Sequence, residues 1–210
     1  MRFLFVHGWG FDASFWKPLL SMPDLDDSRA TVFEAGYFGA PPHLALPEEP
    51  FVAITHSAGT PWFLERMPPW CRKLLVINGF ARFSCADDFR SGIPLRILTR
   101  MRQRLGNEPE TTLGDFRARV GCRESWEGAP DIARLEAGLQ RLCEVDARQP
   151  ARENAERIAW IAGARDPLIS SYMTHESFSP VSSGLIYEGG HLLPLEEPNR
   201  LATWIRDMAL

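Results

Sequence analysis

Short apolar runs rich in β-branched and aromatic residues alternate along this chain with segments that carry a helical period. Runs of this kind are typical of strands buried on both faces of a sheet. Strands separated by helices indicate a parallel, doubly wound sheet of the α/β class. The predicted strands lie at residues 2–7, 30–35, 51–56, 73–78, 157–162 and 184–188.

One long segment interrupts this alternation. Between strands four and five the chain has no convincing strand pattern, and helical patterns take its place at residues 95–105, 112–120 and 130–145. We therefore expect a helical cap, residues 81–152, inserted into an α/β core formed by residues 1–80 and 153–210. A cap in this position would cover the ends of the strands.

Composition narrows the class of protein. The 210 residues are 45% apolar, which suits one sizeable core rather than two independent domains. A net charge of −4 gives no reason to expect a nucleic-acid partner, and no apolar stretch approaches the roughly 20 residues of a membrane span. The first strand begins too early for a signal peptide, and the four cysteines form no CxxC pair, so we expect a cytoplasmic monomer with reduced thiols.

The most informative motif is Thr55-His56-Ser57-Ala58-Gly59, which directly follows the apolar run 51–54. A serine at a sharp strand-to-helix turn lifts its hydroxyl above the sheet, where a base can reach it. The motif is short, and its first residue is Thr rather than the Gly of the strict pattern. The rest of the chain must therefore decide whether Ser57 is a nucleophile.

Two further residues complete the pattern. Asp166 follows the predicted strand 157–162, and His191 follows the predicted strand 184–188. Open parallel sheets gather ligands at the C-terminal ends of their strands, and the order Ser, Asp, His is that of one known triad. The alternative for Asp166 is a turn or capping aspartate before Pro167, and for His191 a loop histidine without a chemical role.

Other histidines are expected to take no part in catalysis. The side chain of His56 should point away from Ser57 at the bend, and His7 should hold its loop by hydrogen bonding. His43 and His175 lie in predicted loops. The five histidines form no HxxxH or HxH pair, so neither a metal nor another cofactor is expected.

With these residues in place the chain resembles the α/β-hydrolases over nearly its whole length. Within them it is most similar to the pimeloyl-[acyl-carrier protein] methyl ester esterases of biotin synthesis. The similarity lies in the opening 7–10 with 14–16, and in the cap segments 88–94 and 113–119. Unlike that family, the chain starts at the His-Gly strand without two preceding strands, and its loop 33–39 is altered.

The resemblance implies a serine ester hydrolase with the triad Ser57, Asp166 and His191. It also implies an oxyanion hole formed by the backbone N–H groups of Trp9 and Ala58. The substrate-binding residues are then Trp9, Ser57, Ala58, Phe116 and His191. Trp9 and Phe116 could equally be core residues.

An arginine cluster suggests a partner. Five arginines and no acidic residue lie between Arg90 and Asn107, and three of them share one helical face. One interpretation is a solvent-exposed helix face without a binding role. The other is a docking surface for an acidic acyl carrier protein. The candidate contacts are Arg96, Arg100, Arg104, Arg117 and Arg119.

The leading hypothesis is therefore hydrolysis of the methyl ester of a pimeloyl chain on acyl carrier protein. Two alternatives stay open: a general short-chain carboxylesterase or thioesterase that uses no carrier, and a non-catalytic protein that keeps the fold as a ligand pocket.

Overall fold

A parallel sheet forms the centre of the computed structural model, which describes residues 1–25, 27–43, 45–178 and 183–209. In this part of the chain six strands lie in the order β2-β1-β3-β4-β5-β6, and every neighbouring pair is parallel. The order reverses direction at β1, so helices cover both faces. The predicted parallel, doubly wound sheet of the α/β class is confirmed.

The strands are β1 Arg2–Val6, β2 Ala30–Val32, β3 Phe51–His56, β4 Cys71–Ile77, β5 Ile158–Gly163 and β6 Ser183–Tyr187. The helices are α1 Lys17–Leu20, α2 Gly59–Leu64, α3 Leu95–Asn107, α4 Pro109–Arg119, α5 Ile132–Glu144, α6 Arg148–Glu153, α7 Ser171–Phe178, α8 Leu193–Glu196 and α9 Pro198–Ala209. Short 3₁₀ turns lie at Ala13–Trp16, Asp27–Arg29 and Ala155–Arg157. Within the described ranges, no helix combines the length and apolar character needed to cross a bilayer.

Alternation of side chains along the strands builds two apolar layers. On β3, Val52 and Ile54 face one layer, whereas Phe51 and Ala53 face the other. Because the strands are buried on both faces, they contain almost continuous apolar residues. Helices α1, α8 and α9 cover the first face, and α2, α6 and α7 cover the second.

A third apolar cluster lies beyond the C-terminal ends of the strands. Leu98 and Leu105 of α3 meet Leu135 and Leu139 of α5, and Trp9 of the first loop packs against them. These helices occur where the sequence predicted a cap. The exact division at residues 81 and 152 stays a prediction.

The structure corrects the bounds of several elements. Strand β2 ends at Val32 instead of residue 35, because Glu34 leaves the ladder and bridges to His43. Its carboxylate turns inward and accepts hydrogen bonds from the N–H groups of Ala13 and Gly36. His175 lies on α7, not in a loop, and its ring contacts Trp160.

Candidate active site

Ser57 occupies a strained corner between β3 and α2. Its φ is +50°, a left-handed conformation that residues with a side chain rarely adopt, and its N–H donates to Ile77 O at 3.2 Å. Thr55, where the strict motif has Gly, is buried, and its hydroxyl lies 2.9 Å from that of Thr60. The turn therefore accepts a side chain at this position.

Asp166 and His191 meet in a fully buried pair. His191 Nδ1 lies 2.7 Å from Asp166 Oδ2, and both side chains are inaccessible to solvent. The second carboxylate oxygen accepts from the N–H groups of Leu168 and Ile169 at 2.8 and 2.9 Å. These bonds fix the carboxylate in the direction of the imidazole.

The pair determines which nitrogen of neutral His191 is basic. A carboxylate only accepts hydrogen bonds, so Nδ1 must carry the proton that it donates to Asp166. Nε2 then holds a free electron pair. It is buried and has no hydrogen-bond partner within the described residues. A base with this tautomer can take a proton from a hydroxyl.

His7 organises the loop of the expected oxyanion hole. The Ala35 N–H donates to His7 Nε2 at 3.2 Å, so Nδ1 is protonated and donates to Gly8 O at 2.8 Å. Burial lowers the pKa of His7 and keeps it neutral. The Gly8 carbonyl and the Trp9 N–H belong to one planar peptide unit, so holding the carbonyl also fixes the direction of that N–H. Ala58, the second expected donor, is the N-cap residue of α2.

A cavity of about 290 Å³ opens beside Ser57 under the cap helices. Trp9, Ser57, Ala58 and Phe116 line it, as the sequence predicted for substrate contacts, but His191 is not among the lining residues. The Trp9 and Phe116 rings pack edge to face at 4.8 Å, and Trp9 Nε1 donates to Leu135 O. The remaining wall is mainly apolar: Phe80, Phe83, Ile93, Ile97, Leu98, Met101, Leu139, Leu142 and Leu168.

Known proteins with similar sequences share one description. No protein-family model matches the chain. Two pimeloyl-[acyl-carrier protein] methyl ester esterases of Xylella fastidiosa, from strains M12 and 9a5c, are 25% and 24% identical to it. Each alignment spans 229 positions and covers 93% of this chain and 90% of the relative.

Solved structures show a similar architecture at lower identity. An esterase from Exiguobacterium antarcticum superposes with a TM-score of 0.78 at 12% identity, covering 100% of this chain and 92% of that one. BioG from Haemophilus influenzae gives a TM-score of 0.66 at 16% identity, covering 97% and 94%. The chain has the α/β-hydrolase fold. The sequence resemblance to the pimeloyl ester esterases is also confirmed.

Within this α/β-hydrolase fold the five candidate arginines differ in their surroundings. Arg96 and Arg100 are exposed on α3, and Arg100 lines the cavity with Arg104 and Arg119. Arg104 donates to Asp115 of α4 at 2.6 Å and lies 3.4 Å from Glu108, so the face of α3 is not free of acidic neighbours as its own sequence suggested. Arg119 donates to Pro167 O at 3.4 Å.

Arg117 does not face solvent. It is 8% exposed, and its guanidinium lies 4.7 Å from the Phe11 ring. It donates to Gly10 O at 3.0 Å and to Cys122 Sγ at 3.2 Å. These contacts give Arg117 a structural role next to the loop of the expected oxyanion hole, and its burial contradicts the prediction that it faces a docking partner.

Two residues near the site carried no strong signal in the sequence. Asn78 follows β4, and its amide contacts both the His191 loop and the end of β5. His56 Nε2 lies 2.9 Å from His191 O, and the two rings are 4.7 Å apart. The sequence analysis placed Asn78 inside the predicted strand 73–78, so the criterion that selected the triad, a position just after a strand, did not single it out; in the structure β4 ends at Ile77. His56 offers no such signal either.

Buried His56 is held in its neutral form. Desolvation, and then the nearby His191, lower its pKa well below the usual value. Neutral His56 can donate one hydrogen bond through Nε2 to the His191 carbonyl.

Within the described part of the chain, no group of three or more His, Cys, Asp or Glu side chains could hold a metal ion.

Proposed function

We propose that this chain hydrolyses the methyl ester of a pimeloyl chain carried on acyl carrier protein, through an acyl-enzyme on Ser57. The observation that carries the chemistry is the buried Asp166–His191 pair, whose basic Nε2 has no hydrogen-bond partner among the residues that the structure describes. The description shared by the curated relatives supports the substrate.

The first half of the reaction transfers the acyl group to the enzyme. Ser57 Oγ forms a bond to the ester carbonyl carbon while His191 Nε2 takes the hydroxyl proton. The carbonyl electron pair moves onto oxygen, where the N–H groups of Trp9 and Ala58 stabilise the negative charge. When the tetrahedral intermediate collapses, the C–O bond to the methoxy group breaks, and His191 returns its proton to release methanol.

The second half regenerates the enzyme. Water attacks the acyl carbon, and His191 Nε2 takes its proton. The bond to Ser57 Oγ breaks, and that oxygen recovers the proton from imidazolium. The product is the free carboxylic acid, still attached to its carrier. Throughout, Asp166 keeps the imidazole in one tautomer and stabilises its charged form.

The cavity and its rim suit a carrier-linked acyl chain. Its apolar wall can surround a methylene chain, and Arg100, Arg104 and Arg119 of the cap helices also line it. Arg96 and Arg100 are exposed and form no ion pair within the described residues, so they are the best candidates for an acidic carrier. To contact the carrier, Arg104 would have to leave Asp115, and Arg119 would have to leave its 3.4 Å hydrogen bond to Pro167 O. Burial excludes Arg117.

Kinetics on two substrates test this assignment. Purified protein should hydrolyse pimeloyl-acyl carrier protein methyl ester and p-nitrophenyl butyrate, and Ser57→Ala should abolish both activities. Arg96→Glu or Arg100→Glu should each raise KM for the carrier-linked ester about tenfold, because a favourable charge contact becomes repulsive. In Arg96→Glu the KM of p-nitrophenyl butyrate should change little, because Arg96 does not line the cavity.

Arg72 provides a matched control for charge. It is exposed at the N-terminal end of β4, whereas the site lies at the C-terminal ends of the strands, so Arg72→Glu makes the same change in net charge away from the site. Raising the salt concentration should weaken the preference for the carrier-linked ester in the wild type, because exposed charges are screened over about 8 Å at 0.15 M. An unchanged KM for the carrier-linked ester in both Arg96→Glu and Arg100→Glu would instead indicate a general carboxylesterase.

A further inference from the structure

Asn78 stands where the three segments of the proposed triad come together. It is 1% exposed and directly follows β4, between β3, which leads to Ser57, and β5, which leads to Asp166. Its own N–H donates to Ile161 O of β5 at 2.9 Å. The preceding residue, Ile77, accepts the N–H of Ser57.

The Asn78 side chain joins the other two segments. Nδ2 donates to the main-chain carbonyls of Gly190 and His191 at 2.8 and 2.7 Å, and Oδ1 accepts from Gly163 N–H at 2.6 Å. Gly163 is the last residue of β5, and its carbonyl accepts the N–H of Asp166. One amide group therefore bonds the loop that carries His191 to the turn that carries Asp166.

Asparagine fits both requirements of this position. Its φ is +46°, a left-handed conformation that Asn tolerates better than most residues. Only a primary amide offers two N–H donors and a carbonyl acceptor in one plane. Aspartate has the same shape without donors, and glycine accepts the backbone angle but has no side chain.

We propose that Asn78 is a positioning residue that holds His191 and Asp166 in register with Ser57. The inference rests on the proposed serine mechanism, and Asn78 acts through the triad without touching the substrate. Small displacements of a catalytic group reduce turnover steeply, so the loss of this amide should lower kcat about 10²-fold. KM should change little, because Asn78 does not line the cavity.

The test compares Asn78→Gly and Asn78→Asp with wild type on p-nitrophenyl butyrate. Both variants should lose about 10²-fold in kcat and in the rate of labelling by a fluorophosphonate. In Asn78→Gly the acid limb of the kcat/KM profile should move to lower pH, since an imidazolium misaligned with Asp166 is less stabilised. In an Asp166→Asn background, Asn78→Gly should cause a further loss much smaller than about 10²-fold, because residues that act as a unit are not additive.

Thr174→Val is the control for a purely structural effect. Thr174 Oγ1 donates to Gly79 O at 2.8 Å, so the variant removes a buried hydrogen bond from the adjacent residue without touching the triad segments. It should keep kcat within about threefold of wild type. Near-normal kcat in folded Asn78 variants would overturn the inference, and so would failure of both variants to fold, because the amide would then be a requirement of the fold. An inactive wild type would instead refute the proposed function.

Discussion

Two residues carry strained backbone at the centre of the site. Among the described residues other than glycine, Ser57 and Asn78 have positive φ values. Such conformations cost roughly 1–3 kcal/mol each and persist only where surrounding contacts hold them. Here the backbone turns at Ser57 and Asn78 are bonded to each other, because the Ser57 N–H donates to the carbonyl of Ile77, the residue before Asn78. Strain at these corners therefore coincides with the proposed nucleophile and its support.

Removing single triad groups should produce unequal losses. Ser57→Ala should lower kcat on p-nitrophenyl butyrate by about 10⁶, because no nucleophile remains. Asp166→Asn should lower it by about 10⁴, because the amide favours the wrong tautomer of His191. Steady-state kinetics of the purified variants measure both effects.

A fluorophosphonate provides an independent readout of the same residues. It should label wild type at Ser57 alone, label Asp166→Asn slowly, and leave Ser57→Ala unlabelled. Turnover by Ser57→Ala at a rate near that of wild type would contradict a covalent mechanism at this residue.

The triad candidates could be predicted because each one follows a predicted strand, and this relation can be seen in the linear sequence. Asn78 was not predicted, since an Asn-Gly pair at the end of a strand is also an ordinary turn. His56 was expected to point away from Ser57, and its contact with the His191 carbonyl, which comes from the loop after β6, was not predicted. Contacts of this kind depend on the order of strands in the sheet, which no local pattern encodes.

At the scale of elements, apolar runs predicted every strand of the sheet, and helical periodicity predicted the cap helices. Boundaries were wrong where one side chain redirects the backbone, as Glu34 does after β2. The prediction of an arginine face without acidic neighbours was incomplete, because the spacing of residues along α3 does not show which side chains of α4 pack against it. Asp115 reaches Arg104 from that neighbouring helix, and Arg117 is buried against Phe11.

The junction of β3 and α2 requires close packing against β1. A Cβ built on Gly59 would lie 2.6 Å from His7 O and 2.7 Å from Val6 O, distances that force the backbone to move. Gly59→Ala should therefore reduce the free energy of unfolding by about 1–3 kcal/mol. It should also lower kcat, because the displacement occurs next to Ser57. Urea unfolding and ester kinetics measure the two effects.

Gly106→Ala is the matched control. Gly106 lies in α3 with no atom within 4 Å of an added Cβ, and Ala is the better helix former. This variant should be up to about 1 kcal/mol more stable than wild type with unchanged kcat. Equal stability of Gly59→Ala and wild type would show that the junction can relax, and the argument from close approach would fail.

At the scale of the whole molecule, the site lies where the sheet meets the cap, and it contains histidines that water does not reach. His7, His56 and His191 are all buried. Burial lowers the pKa of His7 and, more strongly, that of His56. The folded protein therefore resists proton uptake that the unfolded chain accepts near pH 6.5. Global stability is thus linked to pH through the residues that support the site.

The sign of this linkage follows from proton binding. Between the folded and the unfolded pKa of His56, the unfolded chain binds more protons, so stability is fully present above about pH 6.5 and falls as the pH decreases. The free energy of unfolding should therefore fall between about pH 7.5 and 5.5, measured by urea unfolding at each pH. His56→Gln, which keeps a donor for His191 O, should flatten the curve, whereas His43→Gln at an exposed position should not. An unchanged slope in His56→Gln would mean that His56 takes up its proton in the folded state.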